Sequence, residues 1–265
     1  MQGARGANVL HVFWAEWKRT GSLMGRYPLD TVAGILMTSL LLYGLLWSGG
    51  YLEDPTVGSP QRLDDLLLGY GVWTVVVFIL NDIALGLHLE AQSGTLEHLF
   101  LSPYAGIPLL LVRSVVSLGW RLGITTAVWV GVIRWSGLSL VLPWTGIPPC
   151  GALLLSVYGL AFSLGSLALV VKRVQQVVAL AQLGLLLLVV TPVETWTGWA
   201  GTIGTYLPMT AALTLLREVI VRGESLDWGR WLGAMGIGVA YASLGLGLFQ
   251  LAINQAKRTG SLSMD

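Results

Sequence analysis

Hydrophobic positions along this chain fall in long unbroken runs separated by short polar breaks. The runs cover 31–52, 66–87, 107–133, 151–171, 174–193 and 231–253. Each is close to or above the roughly 20 apolar residues that a helix needs to cross a bilayer core. Asp82 is the single charge in the second, Arg113 and Arg121 interrupt the third, and Lys172-Arg173 makes a tight turn between the fourth and fifth. The stretch "LPWTGIPPCG" supplies a Pro/Gly turn before the fourth run, and Trp47 and Tyr51 stand near one end of the first, where interfacial aromatics belong. The pattern predicts an all-α integral membrane protein with six transmembrane helices.

Two further segments carry a pattern of their own. Residues 195–216, "TWTGWAGTIGTYLPMTAALTLL", are uncharged and long enough to cross. Their first half is rich in Gly, Thr and Trp, and Pro208 interrupts them, so 195–220 reads as an external re-entrant hairpin packed within protein. Before the first run, "VLHVFWAEWKR" has helical periodicity. Val9, Leu10, Phe13, Trp14 and Trp17 share an arc, with His11, Lys18 and Arg19 largely opposite. A helix over 8–26 follows, lying in the membrane interface or packed on a partner protein.

Composition agrees with this class. Of 265 residues 54% are hydrophobic and 11% charged, with a mean hydropathy of +0.72, too little charge to cover a soluble domain of this size. A net charge of +1 offers no basic field for nucleic acid. Cys150 is alone, which excludes an internal disulfide. The first 20 residues lack an uninterrupted apolar core and do not read as a cleavable signal peptide. No repeat or soluble domain is visible, so 1–265 reads as one transmembrane domain.

Charge placement sets the expected orientation. With a cytoplasmic N-terminus, Arg5, Lys18, Arg19, Arg26, Lys172, Arg173, Lys257 and Arg258 lie inside, and Arg62, Arg134, Arg217, Arg222 and Arg230 outside. The three arginines after Leu216 pull the other way, toward a seventh crossing.

Little in the chain suggests bond-making chemistry. None of Lys18, Lys172 and Lys257 follows a glycine, so no phosphate loop is present, and no Gly-x-Ser-x-Gly elbow occurs. His11, His88 and His98 lack metalloprotease spacing. Gly94 and a helix start separate His88 and Glu90 from Glu97 and His98, which argues against a metal site. The expected protein is not an enzyme and binds no cofactor or metal itself.

The polar stretch "HLEAQSGTLEHLFLSP", 88–103, stands out between two apolar runs. Ser93 or Thr95 can cap a short helix that Pro103 stops. Leu96, Leu99 and Phe100 then make one apolar face, with Glu97 and His98 turned away. That face suits docking to a soluble partner or lying against membrane or neighbouring spans. The pattern of Glu90, Gly94-Thr95-Leu96-Glu97, Leu99 and Ser102-Pro103 resembles the Gly-Thr-Leu-Glu stretch of type-2 ABC-transporter permeases. "YLPMTAALTLLREVI" is similar to that family's external hairpin, and "AINQAKRTGSLSM" to its basic tail.

The resemblance implies a permease subunit of an ATP-driven exporter, with 89–103 as the cytoplasmic coupling segment. Glu90, Gly94, Thr95, Leu96, Glu97, Leu99 and Phe100 would then carry ATPase coupling. It further implies two copies of a cytoplasmic ABC ATPase that hold ATP and Mg, a second permease that is identical or a sibling, and membrane lipids as partners. Both termini would be cytoplasmic, in a bacterial inner membrane. A basic residue often follows the family's first glutamate, whereas Ala91 and Gln92 follow Glu90 in this chain.

Intramembrane charges are costly, roughly 2.5–3.5 kcal/mol each on insertion scales, and default to a role. Asp82 and Arg113 are expected at similar depth, about 8–9 Å from the cytoplasmic side, as a charge pair. Arg121, about 21 Å in, is a candidate contact for substrate or lipid. The competing class is an ion-coupled secondary transporter or channel, which would normally show more intramembrane acids.

Overall fold

The computed structural model describes residues 9–26, 60–87, 107–136, 143–169, 174–190 and 196–259, with single positions between 29 and 47. Among these residues the structure is helical and contains no strand. The chain divides into two compact units. The smaller comprises Met1–Gly58 and Thr95–Ser139, the larger Ser59–Gly94 and Leu140–Asp265.

In the smaller unit α1 (Val9–Arg26) packs on α3 (Ile107–Ser136). The join is aromatic: Trp17 lies 5.0 Å from Trp120 between ring centroids, and Phe13 extends the stack at 6.1 Å from Trp17. Glycine permits the approach at one point, because a Cβ on Gly21 would meet the Trp120 ring at 2.9 Å. The amphipathic helix expected from the sequence therefore exists, and an intramolecular surface receives part of its apolar face. Trp14, expected on that face, is exposed, with Lys18 Nζ 5.7 Å from its ring centre.

The larger unit holds α2 (Pro60–Leu80), α4 (Ile147–Ala168), α5 (Val174–Val190), α6 (Gly198–Tyr206), α7 (Thr210–Leu216) and α8 (Trp228–Thr259). A first π-helical turn, Asn81–Leu85, continues α2, and a second, Arg217–Val221, continues α7. Among the described residues three stretches are long and apolar enough to cross a membrane: Asp64–Leu85, Trp144–Ala168 and Trp228–Gln255. α5 is a shorter apolar helix that buries one stripe, Val174, Val178, Leu185 and Val189, and exposes Leu180, Leu183, Leu187 and Val190. The fourth hydrophobic run starts earlier than its Pro/Gly turn suggested. Pro148 and Pro149 sit inside the first turn of α4, where a missing N–H costs no helix bond, so the helix begins at Ile147 and not at 151. Asp227 starts α8, its Oδ1 accepting the N–H groups of Gly229 (2.8 Å) and Arg230 (3.2 Å).

Close contacts fix the helix directions. A Cβ on Gly238 would meet the Ala152 carbonyl oxygen at 3.0 Å, Gly159 touches the backbone of Tyr241 and Gly245, and Phe162 meets Phe249 edge-on at 5.3 Å. Residue numbers rise together along both helices, so α4 and α8 are parallel. Gly69 faces Val189 and Asn81 faces Gln182, so α2 and α5 are antiparallel. Gly165 lies against Ile83 and Leu87, which sets the last turns of α2 and α4 side by side. The larger unit thus has a head end, where α2, α4 and α8 begin and α5 finishes.

Candidate functional site

Between α5 and α8 lie α6, α7 and the second π turn. α6 ends at Tyr206, whose carbonyl accepts the Tyr241 hydroxyl at 3.1 Å. Tyr241 lies 13 residues beyond Trp228, about 20 Å along α8 at 1.5 Å per residue. The turn joining α6 to α7 is therefore deep, and Met209 within it is 1% exposed.

Leu207-Pro208-Met209-Thr210 closes as a type II turn, with the Thr210 N–H on the Leu207 carbonyl at 3.4 Å and Met209 at φ 63°, ψ −15°. That third position normally takes glycine, and a side chain there costs roughly 1–2 kcal/mol. The Thr210 hydroxyl lies 2.7 Å from the Gly204 carbonyl oxygen and 2.8 Å from that of Leu207, supplementing long backbone bonds. Such satisfaction is what non-helical backbone requires away from water.

α7 rises from this tip into the second π turn. The Arg217 guanidinium donates to the Val189 carbonyl, one of the unsatisfied acceptors closing α5, and its Nε lies 3.8 Å from Asp65 Oδ1 on α2. A cation at a helix C-terminus complements the helix dipole. Glu218 takes Arg230 Nη1 on both oxygens, at 2.8 and 2.7 Å. Ile220 packs against Gly146, within 3.4 Å of where a Cβ would stand.

A second polar feature is the first π turn. The Gly86 N–H reaches back to the Asn81 carbonyl, which closes the wider ring, and the Asn81 side chain accepts Gln182 Nε2 at 2.8 Å. Asp82 stands in the same turn, half-buried. Turns of this kind recur at functional sites.

The coupling residues expected from the sequence, Glu90, Gly94, Thr95, Leu96, Glu97, Leu99 and Phe100, lie outside the described residues, as does His88. Asp82 belongs to the larger unit. Arg113 and Arg121 belong to α3 of the smaller unit, and both are half-buried. Among the described residues no group of three or more His, Cys, Asp or Glu comes together as a metal site would require. Cys150 is exposed on the first turn of α4.

Sequence reasoning missed Arg217 as a buried group, counting it among external charges. It also passed over Asn81 and Gln182. The one legible signal was Gln182 within "VALAQLGLLLL", an amide amid aliphatic residues that needs a partner once buried. No family model matches the sequence, and no curated protein matches it either.

Proposed function

We propose that the chain is the membrane-spanning permease subunit of an ATP-driven exporter, coupled to a separate cytoplasmic ATPase. The observation that carries the reading is the parallel packing of α4 and α8. Two crossings in the same direction require one net return between them. α5, running back between them, supports a connection to α8 that leaves and re-enters on the same side. The deep tip at Met209 and the paired arms α6 and α7 suit a re-entrant hairpin and support a six-span reading. Exposed Trp144, Trp199 and Trp228 toward the head end suit an interfacial aromatic belt on the external side. The exposed leucines of α5 suit lipid. α1, docked on α3 with Trp14, Lys18 and Leu23 outward, is the interfacial helix of this scheme.

In this reading α2 ends at the cytoplasmic side and hands directly to 89–103. That segment docks on the ATPase through Leu96, Leu99 and Phe100. ATP and Mg bind the partner, in keeping with a sequence that lacks a phosphate loop. Closure of two ATPase subunits shifts the spans as rigid bodies around a path shared with a second permease. Both termini face the cytoplasm of a bacterial cell.

The test is purification of the tagged chain from its native cells in mild detergent, with ATP hydrolysis measured on the eluate. A co-purifying ATPase that is lost on Leu96→Asp supports the reading. Elution without an ATPase removes it and favours the ion-coupled alternative, for which the π turn holding Asp82 is the feature to titrate.

A further inference from the structure

Three neighbouring residues of the second π turn reach the head ends of α2, α4, α5 and α8. Arg217 meets Val189 at the close of α5 and Asp65 in α2. Glu218 holds Arg230 in the first turn of α8. Ile220 fills the space beside Gly146, where α4 begins. A regular helix would direct successive side chains about 100° apart, whereas the π turn carries an extra residue per turn and changes that fan.

The ties differ in kind along the helices. At the head the ties to α2, α5 and α8 are charged or hydrogen-bonded and the tie to α4 is apolar, and Arg217 is only 9% exposed, so separation there would leave its buried guanidinium without its partners. Toward the far end one side-chain hydrogen bond, Gln182 to Asn81, joins α5 to α2, and α4 meets its neighbours through Ile83, Leu87, Phe162, Gly165 and Phe249. Apolar surfaces of that kind can slide without losing a specific bond, as in shear motions of packed helices.

We propose that the turn Arg217–Val221 is the fixed point about which α2, α4, α5 and α8 pivot, so that rearrangement of the unit opens its far end and leaves the head closed. The inference goes beyond the transport reading and does not rest on it. Its test needs neither an ATPase nor a cargo.

The experiment uses the full chain carrying Cys150→Ser, reconstituted in lipid nanodiscs, with spin labels on introduced cysteine pairs. Val190→Cys with Trp228→Cys reports the head, and Gln176→Cys with Leu251→Cys reports the far end. All four positions are exposed. Pulsed-EPR distance distributions should show one narrow peak at the head and a broad or multiple distribution at the far end. Arg217→Gln should abolish the narrow head peak, while Arg217→Lys, which keeps the charge, should retain part of it. Glu218→Gln provides an independent second variant should Arg217→Gln not fold, and it should also broaden the head distribution. A head pair as broad as the far pair in the parent protein overturns the proposal. So does a head peak left intact by both Arg217→Gln and Glu218→Gln.

Discussion

Gly159 and Gly245 meet backbone to backbone where α4 crosses α8. A Cβ on Gly245 would stand 2.8 Å from the Gly159 carbonyl carbon and closer still to its oxygen. This contact lets two long helices run side by side without intervening side chains, the device that membrane helices use when no hydrophobic gradient drives them together. Gly159→Ala or Gly245→Ala should therefore destabilise by at least the 1–3 kcal/mol typical of overpacking. Gly236→Ala, where a Cβ meets nothing within 4 Å, is the control. Thermal unfolding in detergent checks this, and equal melting temperatures for all three variants would count against the contact.

Met209 makes an opposite use of backbone geometry. Its side chain is buried, yet its φ is that of a glycine. Met209→Ala loses the buried side chain, about 2–5 kcal/mol, and keeps the backbone penalty. Met209→Gly loses the side chain but relieves roughly 1–2 kcal/mol of strain. The glycine variant should thus be the more stable of the two, reversing the usual helix order. Chemical unfolding of both in the same detergent decides it.

Asn81 and Gln182 join α2 to α5 through one side-chain hydrogen bond. In membrane proteins such pairs couple by about 0.6 kcal/mol on average and up to about 1.7. Asn81→Leu and Gln182→Leu should each destabilise, and the double variant should recover part of the loss. A double-mutant cycle that closes additively would show that the pair contributes nothing.

The pairing of Trp17 with Trp120 predicts how α1 is held. Trp17→Ala removes an aromatic contact worth about 0.5–1.5 kcal/mol beyond its buried area. Trypsin should then cleave the full-length protein faster at Lys18 or Arg19, and Trp17→Phe should fall between it and the parent. Unchanged cleavage in Trp17→Ala would mean that α1 is anchored elsewhere.

Arg121 was expected to touch substrate or lipid from within the third apolar run. If it does so in a working exporter, Arg121→Gln should lower transport several-fold while ATP hydrolysis by the partner continues. Transport at the parental rate removes the role.

The sequence by itself determined that the described residues are helical and where three long apolar helices fall. The apolar runs that the structure describes are helices because backbone groups away from water must pair within their own segment. Pro208 and the glycines before it marked the break between α6 and α7 for the same local reason, since turn chemistry is written in adjacent residues. What only the tertiary structure decided is which helices run together and which polar groups they trap. Gly159 and Gly245 are two glycines among 34 until a particular crossing leaves them no room for a side chain. Arg217 looked like a surface charge because its partners, Asp65 and the Val189 carbonyl, are remote in the chain, and one of them is backbone. Hydropathy is a property of single residues summed over a window. Burial and pairing are properties of contacts between windows, and those exist only once the helices have packed.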